Sequence, residues 1–218
     1  MLLLCPPGVY RAQSDTAMLA RSVTEGGYAA RRDVLDMCTG SGALALAAAR
    51  AGAASVTAVD VSWRSVAATW ANCRLRGAPV TVHQGDLFAP LAGRRFGLIL
   101  SNPPYVPAAR TAPPRHAKGR CWDAGLDGRL LLNRICDAAG DHLTEDGVLL
   151  MVHSSVSDPE RTLERLSGAG LAGAVLERGQ VPFGPVMRAR AGLLAERGLI
   201  RPDDDIEELV VIEARRAH

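Results

Sequence analysis

Charge of one sign is what this sequence has least of. Its 218 residues carry a net charge of only +2, so no global field calls for a nucleic acid or an anionic membrane. Lysine is nearly absent: Lys118 is the single instance among 25 basic residues, and the richness in Ala, Arg and Gly reads as coding bias rather than function. The five cysteines, Cys5, Cys38, Cys73, Cys121 and Cys136, include no C-x-x-C pair. That argues against a disulfide framework or a zinc finger and for a reduced, cytosolic protein. No run approaches the ~18 apolar residues of a membrane span. The start, Met1 to Pro7, lacks the basic region and the length of a signal peptide. There is no internal repeat and no low-complexity tract. What remains is 48% hydrophobic and 22% charged, enough to bury a sizeable core. The length suits one α/β domain over 1–218, with an N-terminal loop and helix over 1–30.

The apolar segments are short and alternate with helical ones. Val34–Met37 reads as a strand, followed by Cys38-Thr39-Gly40-Ser41-Gly42 and an alanine-rich helix from Ala43 to Ala51. Ser55–Val61 is a second strand, and Ser62 caps a helix running to about Arg76. Val80–His83 and Phe96–Leu100 are the third and fourth strands. Val148–Val152 is the most apolar. Asp158 caps a helix with Pro159 at its first position. Ala174–Leu176 begins a strand whose partner is Ile206–Ala214, with a helix over Val186 to about Arg197 between them. These alternations predict a Rossmann-like, doubly wound sheet of seven strands, mostly parallel, with an antiparallel edge strand. The stretch 106–127 holds several prolines and glycines among Arg110, Arg115, His116, Lys118 and Arg120. It reads as an irregular loop on the substrate side.

In such sheets, ligands sit at the carboxyl ends of the strands. The first strand ends in Asp36-x-x-x-Gly40-x-Gly42, a loop whose glycines let a ligand approach the backbone. Alone this is a weak signal, because a tight turn explains it equally well. Asp60 ends the second strand, where a carboxylate can accept from a ribose diol. Asp86 ends the third, where it can accept from an exocyclic adenine amine. Each Asp by itself is better read as a cap or a solvated loop residue. In series beside a glycine loop they point to an adenosine ligand. NAD fits less well, since the third glycine of a dinucleotide loop is replaced by Ala45-Leu46.

The fourth strand ends in Ser101-Asn102-Pro103-Pro104-Tyr105-Val106-Pro107. Two prolines remove two donors and fix two φ values, and Asn102 is held extended ahead of them. The bland alternative is an Asn-Pro turn initiator.

With Val34–Gly42, Ala58–Ser62, Gln84–Phe88 and Ser101–Pro107 together, the chain resembles the class I S-adenosylmethionine-dependent methyltransferases. It is most similar to the HemK-type glutamine N5-methyltransferases that modify release factors. Val9-Tyr10-x-x-x-x-Asp15-Thr16 resembles the compact branch, which has no N-terminal helical domain. The resemblance implies S-adenosylmethionine as methyl donor, a release factor as protein substrate and a small zinc-binding activator protein as partner. It implies donor contacts from Asp36, Cys38, Thr39, Gly40, Gly42, Asp60, Val61, Asp86, Leu87 and Asn102. Asn102, Pro103 and Tyr105 form the catalytic corner, and Tyr10, Asn102, Pro104, Tyr105 and Trp122 meet the substrate. One departure is Cys38, which stands where many relatives have a glycine; being small, it is expected to keep the turn.

Methyl transfer to an amide nitrogen needs positioning more than acid catalysis. The Asn102 side-chain oxygen and the Pro103 carbonyl can accept the two N–H groups of a planar amide, with Tyr105 as a wall. The same corner suits adenine in nucleic acid, or a small-molecule or peptide amine. Low charge and the lack of a recognition domain speak against nucleic acid. A non-catalytic adenosine sensor is a further alternative. His83 and His153 read as ordinary strand and core residues, and His116 with Cys121 makes no metal spacing. Asp15 and Thr16 read as helix caps, apart from the resemblance.

Overall fold

The computed structural model describes residues 2–111 and 118–217, leaving Arg115 and His116 of the basic loop outside the described residues. Seven strands make one sheet in the order β3-β2-β1-β4-β5-β7-β6. These are β1 (Asp33–Met37), β2 (Ser55–Asp60), β3 (Val80–Gln84), β4 (Phe96–Ser101), β5 (Leu143–Ser154), β6 (Leu171–Pro182) and β7 (Ile206–Arg216). The first five run parallel, and β7 is antiparallel to both β5 and β6. The reversed strand is therefore one place in from the edge, with β6 outermost. Both reach further than the apolar pattern suggests, because β6 alternates exposed and half-buried residues along much of its length.

Helices α1 (Ser14–Glu25), α2 (Ala43–Arg50), α3 (Trp63–Arg74), α4 (Leu130–Ala139), α5 (Pro159–Gly168) and α6 (Pro185–Glu196) complete the chain. α3 starts where Ser62 accepts from the Ser65 N–H, and α5 where Asp158 accepts from Arg161 N–H at 3.0 Å. The sheet is apolar on both faces at its centre: Leu98, Ile99, Leu100 and all of Val148–Val152 are fully buried. Each such side chain contributes about 1.5–3 kcal/mol by leaving water. Strands with no polar face must lie between two helical layers, which fixes β1, β4 and β5 at the centre.

One consequence positions everything else. The chain moves outward from β1 through β2 to β3, then crosses back to place β4 on the other side of β1. The strand order reverses between β1 and β4, and a crevice opens at their carboxyl ends. The register pairs Met37 with Ser101 and Met37 with Val59. Cys38, Asp60 and Asn102 thus leave three adjacent strands side by side, each about 4.8 Å from the next.

Candidate active site

A cleft of about 1310 Å³ lies across these strand ends. Tyr10, Cys38, Gly40, Asp60, Val61, Asp86, Leu87, Asn102, Pro103, Pro104, Tyr105 and Trp122, all expected site residues, line it. Asp36, Thr39 and Gly42, expected among the ligand contacts, do not. Asp36 is wholly buried behind the loop, where one of its oxygens accepts from the Thr39 hydroxyl and from Ala45 N–H at 2.9 Å. It satisfies a free donor in the first turn of α2 and draws the loop back onto the helix. Gly42 has φ +81°, and a Cβ there would lie 3.0 Å from Thr69 Cγ2, so it lets the loop pack on α3. The three build the loop from behind.

Burial pushes the Asp36 carboxyl up to about 7 against those two hydrogen bonds, with the Asp60 charge adding to the rise. Cys38 holds φ +61°, a left-handed conformation that a non-glycine residue adopts at a cost of roughly 1–2 kcal/mol. The turn survives its departure from glycine. Burial, then the charges of Asp60, Asp36 and Asp86, hold its thiol well above the usual range, so Cys38 is a neutral wall and not a nucleophile. Asp60 binds both neighbouring loops, accepting from Gly40 N–H at 3.0 Å and Ser62 N–H at 2.9 Å. Asp86 faces Arg134 of α4 in a forked pair, at 3.1 and 2.8 Å, across the mouth of the cleft.

On the other side of the reversal, the Asn102 side-chain nitrogen donates to Thr16 Oγ1 at 3.0 Å. The Thr16 hydroxyl lies 3.2 Å from Asp15 Oδ1, which also accepts Thr16 N–H. A carboxylate can only accept, so the Thr16 proton goes to Asp15 and its lone pair is left for the Asn102 N–H. The direction of the chain fixes the amide: the oxygen of Asn102 is what remains to face the cleft. Asp15 Oδ2 accepts from the hydroxyls of Tyr10 at 2.7 Å and Tyr105 at 3.1 Å. Burial first, then the Asp15 charge, hold both phenols above their ordinary range and therefore neutral. No protein donor reaches the Pro103 carbonyl among the described residues.

Asp15 and Thr16 are therefore more than helix caps. The cap of α1 is Gln13, without a side-chain bond, and Asp15 is the hub that orients the corner. The spacing between Asn102 and Thr16, 86 residues, hides this in the sequence. The corner is braced from outside as well. Ser157 Oγ donates to the Tyr105 carbonyl at 2.7 Å, and a Cβ on Gly128 would lie 2.2 Å from the same oxygen. Val106 pairs with Asp123, and Arg190 of α6 holds both the Pro107 carbonyl and the Asp123 carboxylate. The described part of 106–127 is thus strapped against the cleft beside Trp122. His153 is an ordinary core residue, fully buried, and its pKa is pushed down to about 4 by burial.

Several solved structures of this architecture are described as methyltransferases. The Mtq2–Trm112 complex of E. cuniculi, described as responsible for methylation of the eRF1 translation termination factor, superposes with a TM-score of 0.69 at 18% identity. It is matched over 96% of this chain and 99% of that one. A T. Thermophilus 16S rRNA methyltransferase in complex with AdoMet and guanosine gives 0.62 at 22% identity, over 94% of this chain and 44% of that one. At this level of identity the likeness shows the fold. The family model described as Methyltransferase small domain matches residues 3–170, and the chain belongs to that family.

Three curated relatives carry glutamine methyltransferase names. One is a protein N5-glutamine methyltransferase of Methanocaldococcus jannaschii, 28% identical over 83% of this chain and 90% of its own. A ribosomal protein uL3 glutamine methyltransferase of Bradyrhizobium diazoefficiens is 46% identical over 54% of this chain and 39% of its own. A release factor glutamine methyltransferase of Geobacter sulfurreducens is 37% identical over 63% and 50%. The chain spans nearly all of the first and half or less of the other two.

Proposed function

We propose that this chain uses S-adenosylmethionine to methylate the side-chain amide nitrogen of a protein glutamine, with a peptide chain release factor as the leading substrate and ribosomal protein uL3 as the second. The observation that carries this is the orientation of Asn102, whose amide nitrogen is held by Thr16, next in sequence to a Pro103 carbonyl that no donor among the described residues reaches. Two acceptors side by side match the two N–H groups of a primary amide.

The cleft fits the methyl donor. Five carboxylates line it, Asp15, Asp60, Asp86, Asp123 and Glu207, beside Arg11, Arg64 and Arg134; Asp86 and Asp123 are paired with Arg134 and Arg190, which leaves Asp15, Asp60 and Glu207 as the acids toward a cationic sulfur. Gly40, at φ +57°, lines the cleft with its bare Cα against Tyr10, where a Cβ would lie 3.4 Å from Tyr10 Cβ. Cys38, Gly40, Asp60, Val61, Asp86 and Leu87 would hold the adenosine part. When bound, S-adenosylmethionine supplies an electrophilic methyl group on a positively charged sulfur. Asn102 and Pro103 would hold the substrate nitrogen by both N–H groups and aim it at the methyl group; as the N–C bond forms the S–C bond breaks to the neutral sulfide, and one of the two held N–H protons leaves the nitrogen. These hydrogen bonds strengthen as positive charge develops on nitrogen, so they act on the rate and not only on binding. Tyr105, 9% exposed and tied to Asp15, walls the planar group.

A small zinc-binding activator protein and a cytosolic location belong to the same reading. The E. cuniculi methyltransferase is solved with Trm112. No helix among the described residues is long and apolar enough to cross a membrane. The test is Asn102→Ala with labelled donor and a release factor. Turnover is expected to fall ~10²-fold or more with donor affinity within about threefold. Near-wild-type turnover would sink the assignment, and wild-type transfer to nucleic acid instead of protein would replace the substrate class.

A further inference from the structure

The cleft contains a carboxylate that the chemistry above leaves without a task. Glu207 is the second residue of β7, paired with Val181 of β6, and only 7% exposed. It lines the cleft with Val181, Pro182, Met187 and Leu209, an aliphatic wall apart from itself. Its Oε1 is buried with no hydrogen-bond partner. The titratable groups that face it are Asp15 of α1, Tyr10 before that helix and Tyr105 of the corner, while β6 and α6 bring apolar side chains. No cation among these compensates its charge.

The Ser154 hydroxyl of β5 bonds this carboxyl but leaves Oε1 unmet, and a buried carboxylate oxygen with neither partner nor nearby cation is costly to keep unless a ligand completes it. Resting on the glutamine reading, we infer that Glu207 is a substrate-recognition residue, its free oxygen accepting a main-chain N–H of the peptide beside the methylated glutamine. Three observations narrow the chemistry. Asp15, Tyr10 and Tyr105 place Glu207 at the acceptor end of the cleft, away from the adenosine side defined by Asp60 and Asp86. In the reading above, the two N–H groups of the glutamine side chain are taken by Asn102 and Pro103. The surrounding wall is aliphatic, which suits a neutral peptide N–H better than a hydrated ammonium. Burial, with the Asp15 charge adding to it and the Ser154 hydroxyl opposing it, pushes the Glu207 carboxyl up to about 7. Its acceptor strength therefore changes across neutral pH.

The experiment measures steady-state methylation of a glutamine peptide by the full chain, with Glu207→Ala and Glu207→Gln, and donor affinity by calorimetry. In Glu207→Ala, the peptide KM is expected to rise ~10-fold or more while kcat and donor Kd move less than about threefold. Glu207→Gln keeps an acceptor oxygen and is expected to restore most of the KM. The wild type is expected to show a rise in kcat/KM between pH 6 and 8, and Glu207→Gln to lack it. A peptide N-methylated at the flanking main-chain nitrogen is expected to penalise the wild type and leave Glu207→Ala unchanged. If the wild type methylates the peptide but Glu207→Ala keeps its KM, or pays the same penalty for N-methylation, this inference is overturned. If the wild type transfers no methyl to any glutamine peptide, the reading beneath it fails instead.

Discussion

Thr16→Val is the sharpest probe of the corner, because it removes one hydroxyl and almost no volume. In the wild type, flipping the Asn102 amide would break its 3.0 Å bond to Thr16 and set two oxygens against each other, since the Thr16 proton belongs to Asp15. Losing one hydrogen bond and adding that repulsion costs about 2 kcal/mol or more, so the productive orientation holds over nine-tenths of the population. With valine, the productive orientation leaves the Asn102 nitrogen against a buried methyl, unpaired, at a cost of about 1–3 kcal/mol. Turned over, the amide sets its oxygen against the same methyl, so neither orientation is held, and each time the nitrogen faces the cleft it opposes the substrate N–H groups. The bias of about 2 kcal/mol that holds the oxygen toward the substrate is lost, so at 1.4 kcal/mol per factor of ten kcat should fall by up to about 30-fold. Thr16→Ser keeps the hydroxyl and should stay within about threefold. The lost bonds amount to about 1 kcal/mol, or a Tm lower by ~2–4 °C. Single-turnover transfer at saturating donor, with calorimetric donor Kd, separates the effects. A folded Thr16→Val enzyme with wild-type kcat would refute the orientation argument. So would a kcat loss matched by an equal loss of donor affinity.

Gly128→Ala should be severe: its Cβ would lie 2.2 Å from the Tyr105 carbonyl and 2.6 Å from Ser157 Oγ, at φ +75°. About 3 kcal/mol or more of stability should be lost in urea unfolding, and a variant as stable as the wild type would mean the corner is not braced there. Asp36 should leave a signature in stability against pH. Its carboxyl titrates at about 7 when folded and near 3.9 in an unfolded chain. Between those values the native state holds a proton the unfolded chain has released, so this group's contribution falls as pH rises from about 4 to 7, by at most ~1.4 kcal/mol per pH unit. Asp36→Asn should flatten the curve in that window, and parallel curves for the two proteins would remove the claim.

The sheet was legible because its central strands carry the full signal of burial on both faces. Phe96–Leu100 and Val148–Val152 leave no polar face to show to water, and only a covered parallel sheet accommodates that. β6 was legible only at Ala174–Leu176. An edge strand buries one side alone, so Glu177, Arg178, Gly179 and Gln180 interrupt it and the apolar run disappears. The strand ends were readable for a different reason. Pro103 and Pro104 fix φ, Gly40 and Gly42 admit the positive φ they hold, and such local backbone effects survive in a one-dimensional reading.

The supporting layer was not readable, and the reason is chemical. Asn102 declares itself through its prolines, yet an amide at a strand end has two faces, and its sequence neighbours do not choose between them. That choice is made by Thr16 and Asp15, which α1 brings over the end of β4, and through Asp15 by the hydroxyls of Tyr10 and Tyr105. A hydrogen-bond chain has a direction only when one end is an obligate acceptor. Asp15 is that end, and it makes a symmetric-looking amide into an oxygen aimed at the cleft. Glu207 was hidden in the opposite way. It stands in phase with Leu209 and Val211 on a strand whose centre is wholly buried, so the one visible signal was an acid at an apolar position. An acid in that phase must either find a partner in the fold or wait for one from outside, and β6 and α6 offer it none.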